Sequence, residues 1–177
     1  MVVKDGGCDS SAAHRRAGRV SVTVAICTWN RSQSLQHTLE GFARIAIPSE
    51  TDWELLVVNN NCTDRTDEVI RVFQGRLPVR RIFEGRPGLS HARNRATAEA
   101  TGDYIIWTDD DVTVCEGWLS AYVDAFRRWP EAAIFGARLS PGSMATRRVG
   151  SGGSIQRWPV CTPPVISEPR PLLSRHM

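Results

Sequence analysis

Tyr104-Ile105-Ile106-Trp107-Thr108-Asp109-Asp110-Asp111-Val112 is an apolar run that ends in three consecutive carboxylates. A strand buried in a parallel sheet reads as a near-continuous apolar run. In open α/β sheets, ligands bind just outside the carboxyl ends of such strands. Three adjacent carboxylates are unfavourable unless something positive neutralises them. A hard divalent cation bound through carboxylate oxygens, and shared with a substrate phosphate, meets that need. The alternative is a solvated acidic turn, because charge runs commonly face water. The position at the end of an apolar strand brings the metal reading forward.

The same strand-then-polar-turn pattern recurs on the N-terminal side. Val20 to Cys27 is β-branched and alternating, which predicts a strand. Ser32 to Ala46 carries Leu35, Leu39, Phe42 and Ala46 on one helical face, and Pro48 follows. Trp53 to Val58 predicts a second strand. Asp64 can cap a helix that runs to Phe73, with Val69, Ile70 and Phe73 as its buried face. Val79 to Phe83 predicts a third strand, and a glycine-containing loop from Glu84 to Gly88 follows. Leu89 to Ala100 has helical spacing and is stopped near Gly102. Beyond the acidic triplet, Glu116 to Trp129 predicts a helix with Leu119, Val123 and Phe126 inward, and Ala132 to Phe135 is a fifth apolar run. Strands alternating with helices predict a three-layer α/β/α sandwich around a mainly parallel sheet. Right-handed crossovers are the default connection.

The flanks differ in character. Residues 1–18 are small, polar and charged, and predict a flexible N-terminal arm. After Leu139, Gly, Ser, Pro and Arg dominate and apolar periodicity stops. Residues 140–177 therefore predict a disordered tail, because they bury too little apolar area to offset their ordering entropy. The expected globular unit is 19–139.

Bulk composition narrows the function classes. The chain has 177 residues, 41% of them hydrophobic and 23% charged, as in a soluble globular domain. A net charge of +3 gives no argument for nucleic acid as a partner. Residues 1–19 contain Lys4, Asp5, Arg15, Arg16 and Arg19 and no secretory apolar core. No stretch has the length of a membrane span. The five cysteines, at 8, 27, 62, 115 and 161, form no Cys-x-x-Cys pair, so neither a zinc knuckle nor a disulfide framework is indicated. A cytoplasmic location, free or peripheral at the inner membrane face, is the expectation.

The chemistry-bearing residues gather at predicted strand ends. The first strand ends in Cys27-Thr28-Trp29-Asn30-Arg31. Trp29 can stack on a base, Thr28 can hydrogen-bond it and Arg31 can meet a phosphate. The plain alternative is that Asn30 or Ser32 caps the next helix and Trp29 packs. The second strand ends in Asn59-Asn60-Asn61-Cys62-Thr63-Asp64-Arg65-Thr66. Asn59 is the candidate ligand contact there, although Asn and Asp are also favoured turn residues. Gly88-Leu89-Ser90-His91-Ala92-Arg93-Asn94-Arg95 places Arg93 and Asn94 early in a helix, where anions are favoured. Gly-x-Ser-x-Gly, a P-loop and Gly-x-Gly-x-x-Gly after the first strand are all absent, which argues against a serine hydrolase, an NTPase and a nicotinamide dehydrogenase.

Together these segments, over about residues 20–138, resemble glycosyltransferase family 2, inverting enzymes with the GT-A fold. The family's Pro-Thr-Tyr-Asn-Arg appears as Cys27-Thr28-Trp29-Asn30-Arg31. Its Val-Asp-Asn-x-Ser-Thr-Asp-x-Thr appears as Val58 to Thr66, and its Gly-x-x-x-Ala-Arg-Asn as Gly88 to Asn94. Its Asp-x-Asp metal motif falls on Asp109, Asp110 and Asp111. The resemblance implies a nucleotide-diphospho-sugar donor, Mg²⁺ or Mn²⁺, and transfer with inversion to a glycan, lipid or small-molecule acceptor. It implies a donor site of Thr28, Trp29, Asn30, Arg31, Asn59, Asn60, Arg93, Asn94, Asp109 and Asp110, with Asp111 and Asp109 on the metal. Asn59 stands where the family has aspartate. An amide suits a uracil edge better than a guanine edge, so a uridine or thymidine donor is expected.

Inverting transfer needs a general base. Beyond Asp111 the acidic residues are Glu116, Asp124, Glu131 and Glu168, none in a family-like context. The catalytic base is therefore unassigned, and the acceptor half is expected to be missing, as in a truncated or inactive gene product. An uncovered sheet edge would then favour self-association. A non-catalytic nucleotide-sugar-binding module and a metal-dependent phosphohydrolase built on Asp109–Asp111 are the competing readings.

Overall fold

A computed structural model describes residues 2–4, 19–130, 132, 134–135, 145–149 and 154–158. In chain order the elements are β1 (Val2–Lys4), β2 (Val20–Thr28), α1 (Ser32–Phe42), β3 (Thr51–Asn59), α2 (Thr66–Phe73), β4 (Val79–Phe83), α3 (Leu89–Glu99), β5 (Tyr104–Thr108), α4 (Trp118–Arg128), β6 (Ile134–Phe135), β7 (Ala145–Val149) and β8 (Ser154–Trp158). The main sheet has six strands in the order β4-β3-β2-β5-β1-β6. β4, β3, β2 and β5 run parallel, and β1 is antiparallel to both β5 and β6.

The period-two pattern of the strands sorts side chains onto two faces. Val22, Val24 and Ile26 of β2 join Leu55, Val57 and Ile106 in one core with α1, α2 and α4. Ala25, Leu56, Val58 and Ile105 turn to the opposite face and meet Ala92 and Ala96 of α3. Helices thus cover both faces, as the alternation predicts. The first core carries the bulk: Phe126 stacks on Tyr104 at 4.0 Å and meets Phe135 at 5.0 Å, while Phe42 meets Trp118 edge-on at 5.3 Å. The second core is thin because α3 presents alanines, and small side chains let that helix lie close to the sheet.

Gly102 is where close approach is strictest. A Cβ there would lie 2.5 Å from the Thr23 backbone nitrogen, so only glycine fits. The Thr23 hydroxyl donates to Glu54 at 2.7 Å and accepts from the Gly102 N–H at 2.9 Å. These contacts set the start of β5 against β2 and so fix where its carboxyl end emerges.

The sheet edge at β4 is charged. Arg80 pairs with Glu54 and Glu99, and Arg81 pairs with Asp67. Charged side chains on an edge strand discourage pairing with a second chain.

The predicted loose arm contains β1, a strand between β5 and β6. The predicted disordered tail contains β7 and β8, an antiparallel pair with Ala145 opposite Trp158 and Val149 opposite Ser154. The remainder of 1–18 and of 140–177 lies outside the described residues. Helix α1 also stops earlier than its apolar spacing suggests. The Ala46 N–H leaves the helical pattern and donates to the Glu116 carbonyl at 2.8 Å.

Candidate functional site

The carboxyl ends of β2, β3 and β5 lie side by side, because β2 pairs with both neighbours in parallel. Thr28 is opposite Asn59 across β2 and β3, and Ile26 is opposite Thr108 across β2 and β5. Every polar turn singled out above therefore converges on one end of the sheet.

The acidic triplet is held there in an alternating way. Asp110 is buried, while Asp109 is exposed and Asp111 half-buried. One Asp110 oxygen accepts from the Thr28 hydroxyl at 2.6 Å, and the other faces Arg31 Nη1 at 3.0 Å. Burial raises the Asp110 carboxyl above its ordinary value, and Thr28 and Arg31 oppose that rise. Arg31 Nη2 bonds Asp111 at 2.7 Å. The Thr38 hydroxyl on α1 donates toward the Asp110 and Val112 carbonyls, each at 3.0 Å, so the acidic loop is pinned to α1. Asp110, expected among the donor contacts, ties the strand ends together, with both oxygens engaged. Asp109 and Asp111 keep carboxylate oxygens toward solvent.

A cleft of about 400 Å³ opens beside this cluster, lined by Cys27, Thr28, Trp29, Asn60, Pro87, Gly88, Leu89 and Ala92. Its walls are mainly apolar, and Trp29 stands 62% exposed at it, an unusual state for an indole unless it serves contact. Burial pushes the Cys27 thiol up to about 11, so it lines the cleft as a neutral group. Gly88 has φ of 127°, a region open to glycine, and its N–H donates to Asn60 Oδ1 at 2.8 Å. Asn60 Nδ2 donates to the Glu84 and Arg86 carbonyls. Asn60 thus builds the wall between β3 and the loop before α3.

Asn59, expected as a ligand contact, has both ends of its amide engaged within the protein. Its Nδ2 donates to Asp67 on α2 at 2.6 Å, and its Oδ1 accepts the Cys62 N–H at 2.7 Å. It is 2% exposed and is not among the residues that line the cleft. Asp67, held low chiefly by Arg81, remains a carboxylate partner for it. Asn30 is likewise a brace. It adopts a left-handed conformation, φ 52°, and its Oδ1 accepts the Thr63 N–H at 2.7 Å. Asp64 completes the brace by accepting from Ser32 N and from Thr66 N and Oγ1. The asparagine-rich turn therefore ties the two loops together.

Arg93 and Asn94 are exposed on α3. The Arg93 guanidinium lies 5.9 Å from the centre of the Trp107 ring, a contact the sequence did not foretell. Cys27, Pro87, Leu89 and Ala92 also went unforeseen; their only signal was position, beside the strand end or within the loop that opens α3.

Hard oxygen ligands with room around them suit Mg²⁺ or Mn²⁺. Among the described residues no three metal-ligating side chains converge. A divalent ion on Asp111 and Asp109 would therefore take its remaining ligands from a bound diphosphate and water, the usual pattern for Mg²⁺. The residues fit such an ion.

The chain is similar in sequence and in fold to known proteins. The succinoglycan biosynthesis protein ExoM of Rhizobium meliloti is 27% identical over 142 residues, covering 78% of this chain and 46% of ExoM. The mannosyltransferase PcManGT of Pyrobaculum calidifontis, solved with GDP-Man and Mn²⁺, superposes with a TM-score of 0.56 at 26% identity over 61% of this chain and 32% of its own. TarS of S. aureus superposes with a TM-score of 0.59 at 19% identity over 71% of this chain and 24% of its own, which speaks to the fold. The chain spans less than half the length of the curated relatives it matches. The model of Glycosyl transferase family 2 matches residues 23–163, from β2 through the acidic triplet and beyond. The chain belongs to glycosyltransferase family 2, with a GT-A fold.

Proposed function

We propose that this chain binds a nucleoside-diphospho-sugar in the cleft between β2 and α3, with a divalent ion at Asp111 and Asp109, for transfer of the sugar to an acceptor hydroxyl. The observation that carries the reading is convergence: an apolar cleft with an exposed indole lies beside a carboxylate pair and an arginine fork at one end of a parallel sheet. The base fits the apolar end, where Trp29 offers a stacking face. The diphosphate fits the charged end, beside the half-exposed Arg31 guanidinium. Bound there, the ion would neutralise charge on the departing nucleoside diphosphate. PcManGT, bound to GDP-Man and Mn²⁺, supports the donor class and the use of a divalent ion.

Asn59, the ground for a uridine or thymidine donor, is engaged with Asp67 and Cys62. Asn60, the amide that does line the cleft, has both ends on backbone groups. Shape and stacking remain as the means of holding a base, and UDP stays the first donor to test. The acceptor base is unassigned. Glu116 is exposed, with its carbonyl beyond the C-terminal end of α1, and Asp124 is on the exposed face of α4. Glu131 and Glu168 lie outside the described residues.

A thermal-shift screen of UDP, dTDP, GDP and ADP, each with Mn²⁺ or with EDTA, tests the reading. A ligand that binds only the native state at 100 times its Kd stabilises by about 2.7 kcal/mol. At least one nucleoside diphosphate should raise the melting temperature by several degrees, and more with Mn²⁺. No shift with any of them at millimolar concentration would contradict the proposal.

A further inference from the structure

Arg31 grips the acidic cluster from one side with both ends of its guanidinium. Nη1 faces Asp110 Oδ1 at 3.0 Å and Nη2 bonds Asp111 Oδ2 at 2.7 Å. The two contacts differ in kind. Asp110 is buried and also holds Thr28 through its second oxygen, so its partnership with Arg31 is built into the fold. Asp111 is 40% exposed and the Arg31 side chain is 50% exposed, so the Nη2–Asp111 contact sits at the surface, where ion pairs are weak and exchangeable. The arginine is anchored at one carboxylate and loosely closed on the other.

We propose that Arg31 is an internal counter-ion that competes with the divalent cation for Asp111, so that donor and metal load together by exchange. This rests on the donor reading above. Alone, a divalent ion meets a carboxylate already paired and a positive guanidinium within bonding distance of it. Its binding is weakened by both. A nucleoside diphosphate changes the balance because it brings its own negative charge. Arg31 Nη2 then leaves Asp111 for a diphosphate oxygen, and Asp111 Oδ2 becomes available to the ion. No covalent bond changes, and each charge keeps an opposite partner throughout. Metal alone binds weakly, donor alone lacks its ion, and the pair binds well.

The competing account is that Arg31 only braces the β2–α1 turn against the acidic loop. In that case its loss would weaken metal and nucleotide alike.

The test is Mn²⁺ titration without nucleotide, followed by the spectrum of free Mn²⁺, on the wild-type chain and on Arg31→Gln. The proposal predicts roughly three- to tenfold tighter Mn²⁺ binding in the variant, from loss of a nearby like charge and of the competing pair. UDP binding at saturating Mn²⁺ should fall in the same variant by about tenfold. Opposite signs for the two ligands are the signature. Arg31→Gln combined with Asp111→Asn should bind Mn²⁺ no better than Asp111→Asn alone. If Arg31→Gln is not folded by circular dichroism, Arg31→Lys replaces it. A point charge cannot close on both carboxylates, so Mn²⁺ should again bind more tightly, by a smaller factor. Unchanged or weaker Mn²⁺ binding in the folded variant would overturn the exchange. Failure of UDP to bind the wild-type chain would instead count against the donor reading, and the Mn²⁺ titration would still decide the competition between Arg31 and the ion.

Discussion

Asn59 and Asn60 are adjacent and chemically identical, yet the fold gives them separate tasks. Asn59 ends β3 and points toward α2, where Asp67 and the Cys62 N–H use both ends of its amide. Asn60 lines the cleft and holds Gly88. Asn59→Ala should cost about 1–3 kcal/mol of stability, because it leaves the Cys62 N–H without its acceptor and removes one of the donors to Asp67, which Arg81 still holds. It should leave the preference among nucleotides unchanged. Asn60→Ala should weaken nucleotide binding as well, since the loop carrying Pro87 and Gly88 loses its support. Chemical denaturation and nucleotide titration of both variants check this pair of outcomes; a changed base preference in Asn59→Ala would return that residue to the cleft. The distinction was not legible in the sequence. Which side of a strand end a residue faces depends on the register of β3 with β2 and on the course of the following turn, and a run of three asparagines carries no pattern to reveal either. The position of the acidic triplet was more legible, because an apolar run that breaks into charge marks the end of a strand, here β5. Even so, the middle carboxylate proved to be a tie to Thr28 and Arg31.

At the scale of elements, the parallel order of β4, β3, β2 and β5 follows from apolar strands separated by amphipathic helices. That much was legible from Val24, Ile26, Leu55, Val57 and Ile106, all near fully buried. The pairing at the opposite end of β2 was not legible, because it depends on long-range polar contacts. Gly102→Ala should destabilise the chain by at least about 1–3 kcal/mol, since the added carbon meets backbone rather than a movable side chain. Thermal denaturation checks it, and a neutral result would mean β5 can shift against β2.

Glu54 belongs to the same network. Burial alone would raise its carboxyl, but hydrogen bonds from Thr23, Thr101 and Arg80 bring it below its ordinary value of 4.5. A depressed carboxylate contributes stability above its unfolded value and loses it as pH falls through the folded value. The stability gap between wild type and Glu54→Gln should therefore be present at pH 7 and shrink below about pH 4.5. A gap that stayed constant down to pH 3 would show that Glu54 acts through packing instead of charge.

At the scale of the whole molecule, three residues near the N-terminus join β6 to β5 through β1. A segment so short, and so far in sequence from its partners, leaves no periodic signal, and for that reason it read as an arm. Deleting residues 1–4 should expose the antiparallel edge of β5 and increase self-association, which size-exclusion chromatography at several concentrations would show. An unchanged elution volume and melting temperature would mean that β1 contributes nothing to the sheet's integrity.

The central claim is that the cleft and the carboxylates form one metal-assisted site for a nucleoside diphosphate. Calorimetric titration of UDP into the wild-type chain and into Asp111→Ala, each with saturating Mn²⁺ and with EDTA, tests it most directly. The account predicts at least about tenfold tighter binding with Mn²⁺ in the wild-type chain, worth about 1.4 kcal/mol, and no such gain in Asp111→Ala. UDP affinity that ignores Mn²⁺, or a Mn²⁺ gain that survives the loss of Asp111, would contradict it.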